Sequence, residues 1–334
     1  MPYSSKRLLF VVLLSSVLLL SSWGFLVHRT VNQLAIYELP IAMKPFFYNN
    51  REYLVYNAPR PDIRRSKDHS EAEKHFINLE DFEHNGVHDM PLDWNNAVKK
   101  YSKDSLLKNG YVPYYVIFMK GKLTDAFKSQ NKDSILFYAA DIGHYIADAN
   151  VPLHATNNYD GQLTNQKGLH SLWESMIPEI EIANYTLYSN HTAKYLSNPE
   201  KTIWNAVRSA AALVPEVFAT EKRVSVQFSE AQKFRTQIRR GKEYKSYTSE
   251  FAKAYSAALK NTINNQLLQS ADMIADFYYT AWVDAGKPNL QTLNQAWTSK
   301  EKLDLKESQK NYKSNQLIQQ KMLLSKIAEV KEEN

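Results

Sequence analysis

The chain has 334 residues, 44% of them hydrophobic, and it contains no cysteine. That length allows one large domain or two small ones around a sizeable core. The missing cysteines exclude a disulfide framework, a thiolate metal site and a cysteine nucleophile, so any metal has to be held by His, Asp, Glu or a terminal amine. Only 9 glycines and 12 prolines favour helices over a turn-rich β fold. A formal charge of +6 suits an anionic substrate, although part of it lies in the leader and the tail.

Residues Met1 to Ser22 read as a secretory signal peptide. Lys6 and Arg7 form a basic start, and the apolar run Leu8 to Leu20 is shorter than the roughly 20 residues of a membrane span. An uncleaved anchor is the alternative. Cleavage before Trp23 would expose a free amine and carbonyl that can chelate a metal. The segment that follows places Val27, Val31, Leu34 and Ala35 at helical spacing, with His28 five residues after Trp23.

Asp62 and His75 come next. Asp62 is either a loop carboxylate ligand or a helix cap, and alone the cap is the simpler reading. A helix is expected over Glu71 to Leu79. His84 and His88 form a rival pair four apart, but Gly86 between them argues for a solvated loop. Helices are expected from Trp94 to about Tyr101 and from about Val112 to Lys128, and another starts near Asp133. Further on, a helix from Pro199 should end or kink at Pro215. One long helical stretch is expected from Thr248 to about Ala285, stopped by Gly286 and Pro288. The segment Thr298 to Asn334 reads as a charged tail, helical or disordered. No repeat, Gly-rich phosphate loop or GxSxG elbow is present, and the pattern points to one all-α domain over residues 23–297.

The densest chemistry lies between Asp141 and Glu174. His144 and Asp148 are four apart, as are His170 and Glu174, so each pair shares one helix face. His154 sits on the connection between them. A lone helical histidine is usually structural, but five clustered His, Asp and Glu residues at this spacing favour metal. Asp141 can orient His144 from outside or be a plain surface carboxylate.

In order, Trp23, His28, Asp62, His75, His144, Asp148, His154, His170 and Glu174 resemble the superfamily of zinc-dependent phospholipase C and S1/P1 nuclease. The resemblance implies a multi-helix domain of that type with three zinc ions. Asp62, His75, His144 and Asp148 would hold one zinc. Trp23, His28 and Asp148 would hold a second, with Asp148 bridging, and His154, His170 and Glu174 the third. It further implies phosphodiester cleavage by metal-activated water with inversion at phosphorus, Asp148 at the metal pair and Asp62 as accessory base. Trp-Gly at the start, His28 five residues on, and HFINLED resemble the nuclease branch. Glu174 in place of Asp, and the short His154–His170 interval, are similar to the phospholipase branch.

The leading expectation is therefore an exported nuclease acting on single-stranded nucleic acid, in the periplasm or outside the cell. The first alternative is a phospholipase C releasing phosphorylated headgroups. The other class is a binding protein that keeps the zinc scaffold without catalysis. No protein partner is implied. A nuclease needs an aromatic shelf, for which Phe76, Tyr145 and Tyr159 are candidates, and phosphate contacts such as Arg64, Arg65 and Lys167. For each of these, packing or surface solvation is the plainer reading.

Overall fold

A computed structural model describes residues 24–82, 89–239, 242–294 and 296–327. The segment Met1 to Ser22 expected to be a signal peptide, Trp23, and the rival pair His84 and His88 lie outside the described residues. Regular structure in the described part is helical apart from one two-stranded hairpin, so the fold is all-α.

The organising element is the helix Phe25–Glu38. Nearly all its residues are buried, polar ones included, as expected of a helix surrounded by protein on every side. It packs against helices Arg51–Asn57, Lys132–Ala149 and Thr262–Asp284. Gly143 makes one of these approaches possible. A Cβ there would collide with the side chain of Asn32. Asn32 in turn donates to the His28 carbonyl at 2.9 Å and accepts from the Tyr278 hydroxyl at 3.0 Å. The glycine beside His144 thus lets the His28 helix come close, and the two imidazoles stack with centroids 3.9 Å apart.

Helices Trp94–Tyr101 and Val112–Lys128 occupy the expected residues, and the His144 helix spans Lys132–Ala149. Asp93 and Asn131 cap two of them by accepting from Asn96 and Ser134 amides at 3.0 and 2.9 Å, supplying acceptors that a helix start lacks.

Four elements differ from their sequence pattern. Residues 71–79 form two short 3₁₀ turns, Ala72–Lys74 and Leu79–Asp81. The amides of Ile77 and Asn78 donate instead to His154 and Asn109 carbonyls at 2.9 and 2.8 Å, so tertiary hydrogen bonds replace helical ones. Pro215 does not end its helix, which runs Pro199–Ser225. Beyond the proline, Val217 and Val224 are buried with Phe251 and Tyr255, and Tyr255 donates to the Val217 carbonyl at 2.9 Å. That packing offsets the ~3 kcal/mol cost of an internal proline. The stretch after Thr248 is two helices, Ser249–Leu259 and Thr262–Asp284, broken at Lys260, whose φ is 54°. Between the long helices, Phe234–Arg239 pairs antiparallel with Lys242–Tyr247. No strand is expected there from the sequence, although Phe234, Thr236 and Ile238 alternate with polar residues.

The charged C-terminal segment is helical over Ser299–Lys313. Tyr312, Leu317 and Leu323 belong to the same buried cluster as the first helix. Ser325 meets the Thr30 hydroxyl at 2.8 Å.

Candidate metal centre

All eight described residues of the expected ligand set converge. Three groups have ligand atoms close enough to share an ion: His28 with His144 and Asp148; Asp62 with His75 and His144; His154 with His170 and Glu174. The residues arrive from several local structures. His28 is on the first helix, and His144 and Asp148 are on one face of Lys132–Ala149. Pro152 opens the 3₁₀ turn Pro152–Ala155 that presents His154. His170 leads into a π-helical turn, Leu172–Met176, that carries Glu174; such turns recur where a helix must aim a functional side chain.

Asp148 is the hub. It is 1% exposed, and its two oxygens face different partners. Oδ2 lies 2.9 Å from His75 Nδ1 and 3.3 Å from His144 Nε2, whereas Oδ1 lies 3.6 Å from His28 Nε2. Glu174 divides in the same way. Oε2 is 2.8 Å from His170 Nε2 and 3.2 Å from His154 Nε2, and Oε1 is 3.4 Å from His28 Nε2. A glutamate's extra methylene thereby joins the third group to His28, a link absent from the ligand sets expected from sequence.

The donor set fits metal cations. His144 Nδ1 lies 3.0 Å from the Ala58 carbonyl and His154 Nδ1 lies 2.6 Å from the His75 carbonyl. Both Nδ1 atoms are therefore donors, and in the neutral ring both Nε2 atoms carry lone pairs. Yet His144 Nε2 faces His75 Nδ1 at 3.1 Å, and His154 Nε2 faces His170 Nε2 at 2.9 Å. Facing ring nitrogens this close repel unless a cation or a proton lies between them. Burial alone would raise Asp148 and Glu174, but the surrounding histidines hold both carboxyls well below the usual range. Burial would lower His154, but Asp148 and Glu174 push it up to about 9. The carboxylates thus draw positive charge onto the rings, and a bound metal supplies that charge by displacing protons. The buried groups can hold metal ions.

The Asp62 segment is clamped from behind. Arg60 reaches Asp141 Oδ1 at 2.6 Å, and Arg64 reaches Asp141 Oδ2 at 2.9 Å. Asp141 is buried at 1% exposure and is neither a surface carboxylate nor the partner of His144, whose Nδ1 is taken by Ala58. It anchors the short helix Arg60–Arg64. Asp62 Oδ1 then lies 3.7 Å from His75 Nδ1 and 3.9 Å from His144 Nε2. Arg64 is committed to this clamp.

Glu71, absent from the ligand set expected from sequence, also reaches the cluster. It is 1% exposed, accepts from Tyr145, from Arg64 at 3.3 Å and from Lys74 at 2.8 Å, and lies 3.6 Å from His75 Nε2. Burial would raise it, but the donors of His75, Lys74, Tyr145 and Arg64 hold it below the normal carboxylate range. Its spacing four before His75 was the available signal. Glu71→Gln is expected to lower metal affinity by ~10–100-fold, as loss of an outer acceptor does, in a competition titration against a chelator. Unchanged affinity with a lower melting temperature would assign Glu71 to the fold alone.

A cleft of about 570 Å³ opens over the centre, lined by Gly24, Phe25, Asp62, Ile63, Arg65 and Ser66 together with Asp148, His154, His170 and Glu174. Gly24, at φ 101°, turns the chain into the first helix within contact distance of Ser175. Of the candidate shelf residues, Tyr145 is fully buried and Phe76 packs against Gly110. Tyr159 is 53% exposed, with its ring edge-on to His170 at 6.3 Å. Arg65 lines the cleft, 3.4 Å from Asp62. Lys167 is exposed and stands outside the lining.

No protein-family model and no curated protein matches the chain. No described helix is long and apolar enough to cross a membrane.

Proposed function

We propose that the protein is an exported phosphodiesterase with a three-zinc centre that cleaves single-stranded nucleic acid. The observation that carries this reading is the division of the Asp148 oxygens between His75 with His144 on one side and His28 on the other. A carboxylate so placed is suited to bridge two cations. Nitrogen and oxygen donors without thiolate are within zinc's usual preferences. The third zinc belongs to His154, His170 and Glu174, and the amino terminus at Trp23 completes the second set in this reading.

Bound zinc would supply Lewis acidity toward the phosphoryl oxygens and water acidic enough to ionise near neutral pH. The chain's own residues do the rest. Asp62, with its side chain 29% exposed, borders the cleft and can take a proton from attacking water. Arg65 beside it offers planar donors to a phosphate. Tyr159 presents an exposed aromatic face on which a base can stack. No protein nucleophile is required, so inversion at phosphorus is expected.

Phospholipase C activity is the second reading. It is favoured by Ile63, 54% exposed, and Phe25 in the cleft lining, an apolar border suited to lipid, and by glutamate at 174. The deciding assay offers the metal-loaded chain beginning at Trp23 single-stranded RNA and DNA, and separately phosphatidylcholine in mixed micelles, with and without a chelator. Chelator-sensitive cleavage of nucleic acid is the expected result. Phosphocholine release alone would transfer the protein to the second reading. Silence on both with metal bound would overturn both and point to another phosphate ester or to a binding role.

A further inference from the structure

A second cavity, of about 900 Å³, shares no residue with the histidine cluster. It lies between Ile41 and Ala42, the start of helix Lys44–Asn49, the 3₁₀ turn Leu290–Leu293 and the helix Ser299–Lys313. Its volume falls in the range of roughly 300–1,000 Å³ typical of small-ligand sites. Pro45, Phe46, Leu290, Trp297 and Leu305 make the lining largely apolar. Ile41, 79% exposed, extends that surface into solvent. The polar part of the lining carries one sign of charge: among the described residues Lys44, Lys302 and Lys306 contribute, and no aspartate or glutamate does.

These two features restrict the occupant. A neutral lipid would desolvate lysines without compensating them. A polar polyanion would leave the apolar walls in contact with water. A chain molecule with one anionic end satisfies both. We propose that this groove binds a fatty-acid anion, with the acyl chain along Ile41, Pro45, Trp297 and Leu305 and the carboxylate among Lys44, Lys302 and Lys306. Burial, reinforced by Lys313, lowers Lys44 to about 8. Lys44 also donates to Gln309 at 2.8 Å, which holds it in the lining.

The test is a calorimetric titration of the metal-loaded chain with monomeric dodecanoate, below its micelle concentration. One saturable site per chain is expected. Shortening the probe to decanoate should weaken binding about 15-fold, from the loss of two buried methylenes at about fourfold each. K302E/K306E should weaken it at least tenfold. Both lysines are exposed on their helix, so metal content and melting temperature should stay as in the parent. Dodecyltrimethylammonium should not compete. The proposal is overturned by absence of saturable binding, by insensitivity to chain length or to K302E/K306E, or by equal binding of the cationic probe. It is also overturned if the chain binds phosphatidylglycerol vesicles but no monomeric dodecanoate, which would make the patch a membrane contact. Phosphodiester hydrolysis is not a readout here, so failure leaves the reading of the metal centre untouched.

Discussion

On the proposed three-zinc reading, Asp148→Asn is expected to deplete two of the three metal groups in one step and to reduce phosphodiester hydrolysis by far more than the ~10–100-fold that an outer partner contributes. Asparagine keeps the shape of the side chain but replaces one carboxylate oxygen with an NH₂ that cannot ligate, and it removes the negative charge. Because Oδ1 and Oδ2 serve different histidines, neither side-chain orientation restores both contacts. The remaining oxygen can serve His28 or the His75–His144 pair, not both groups. Metal analysis of the purified variant, alongside hydrolysis and the far-ultraviolet spectrum, checks this. Full metal content with intact turnover would move the hub elsewhere. Loss of helical signal would show that Asp148 acts through the fold, since removing one charge from a buried set can leave its partners uncompensated.

Deleting the chain after Trp297 is expected to abolish folding, despite the charged, polar character of what is removed. Tyr312, Leu317 and Leu323 are each at most 2% exposed, and full burial of such side chains contributes roughly 1.5–3 kcal/mol apiece. Together they approach the roughly 5–15 kcal/mol net stability of a whole domain. The deletion also strips partners from the first helix. Tyr312 donates to Glu38 at 2.8 Å, Tyr37 meets Ser308 at 2.7 Å, and Gln33 donates to the Met322 carbonyl at 2.7 Å. Burial already raises Glu38 well above its ordinary range, so losing Tyr312 would remove one of its hydrogen bonds. The expected result is aggregated or protease-sensitive protein. A soluble 1–297 chain with a cooperative melt and normal metal content would show that the segment is an accessory.

Helix Phe25–Glu38 contacts both the histidine cluster and the C-terminal segment. His28 faces the metal groups, and Tyr37 and Glu38 face the C-terminal segment. Buried polar residues of Phe25–Glu38 bond to the elements packed around it. Asn32 accepts from Tyr278, Gln33 donates to the Met322 carbonyl and Glu38 accepts from Tyr312, so each holds a neighbouring element.

Much of the candidate cluster was legible in the chain by itself because its constraint is local. Residues four apart on a helix share a face whatever surrounds them, so His144 with Asp148 and His170 with Glu174 could be paired from spacing. The same holds for helices such as Val112–Lys128, where apolar period and termini agree. What depended on distant contacts could only be decided by the tertiary structure. Pro215 sits inside a helix because packing against Phe251 and Tyr255 outweighs its local cost. Residues 71–79 give up helical hydrogen bonds for ones to His154 and Asn109, and that exchange brings His75 beside His154. Asp141, three residues before His144, points at Arg60 and Arg64 rather than at the histidine, a choice of direction that spacing does not encode. Glu71 reaches His75, and Glu174 reaches His28, only once the helices are packed. The polar C-terminal segment is part of the core because a few apolar side chains, too sparse to register in composition, meet a surface prepared for them by the first helix.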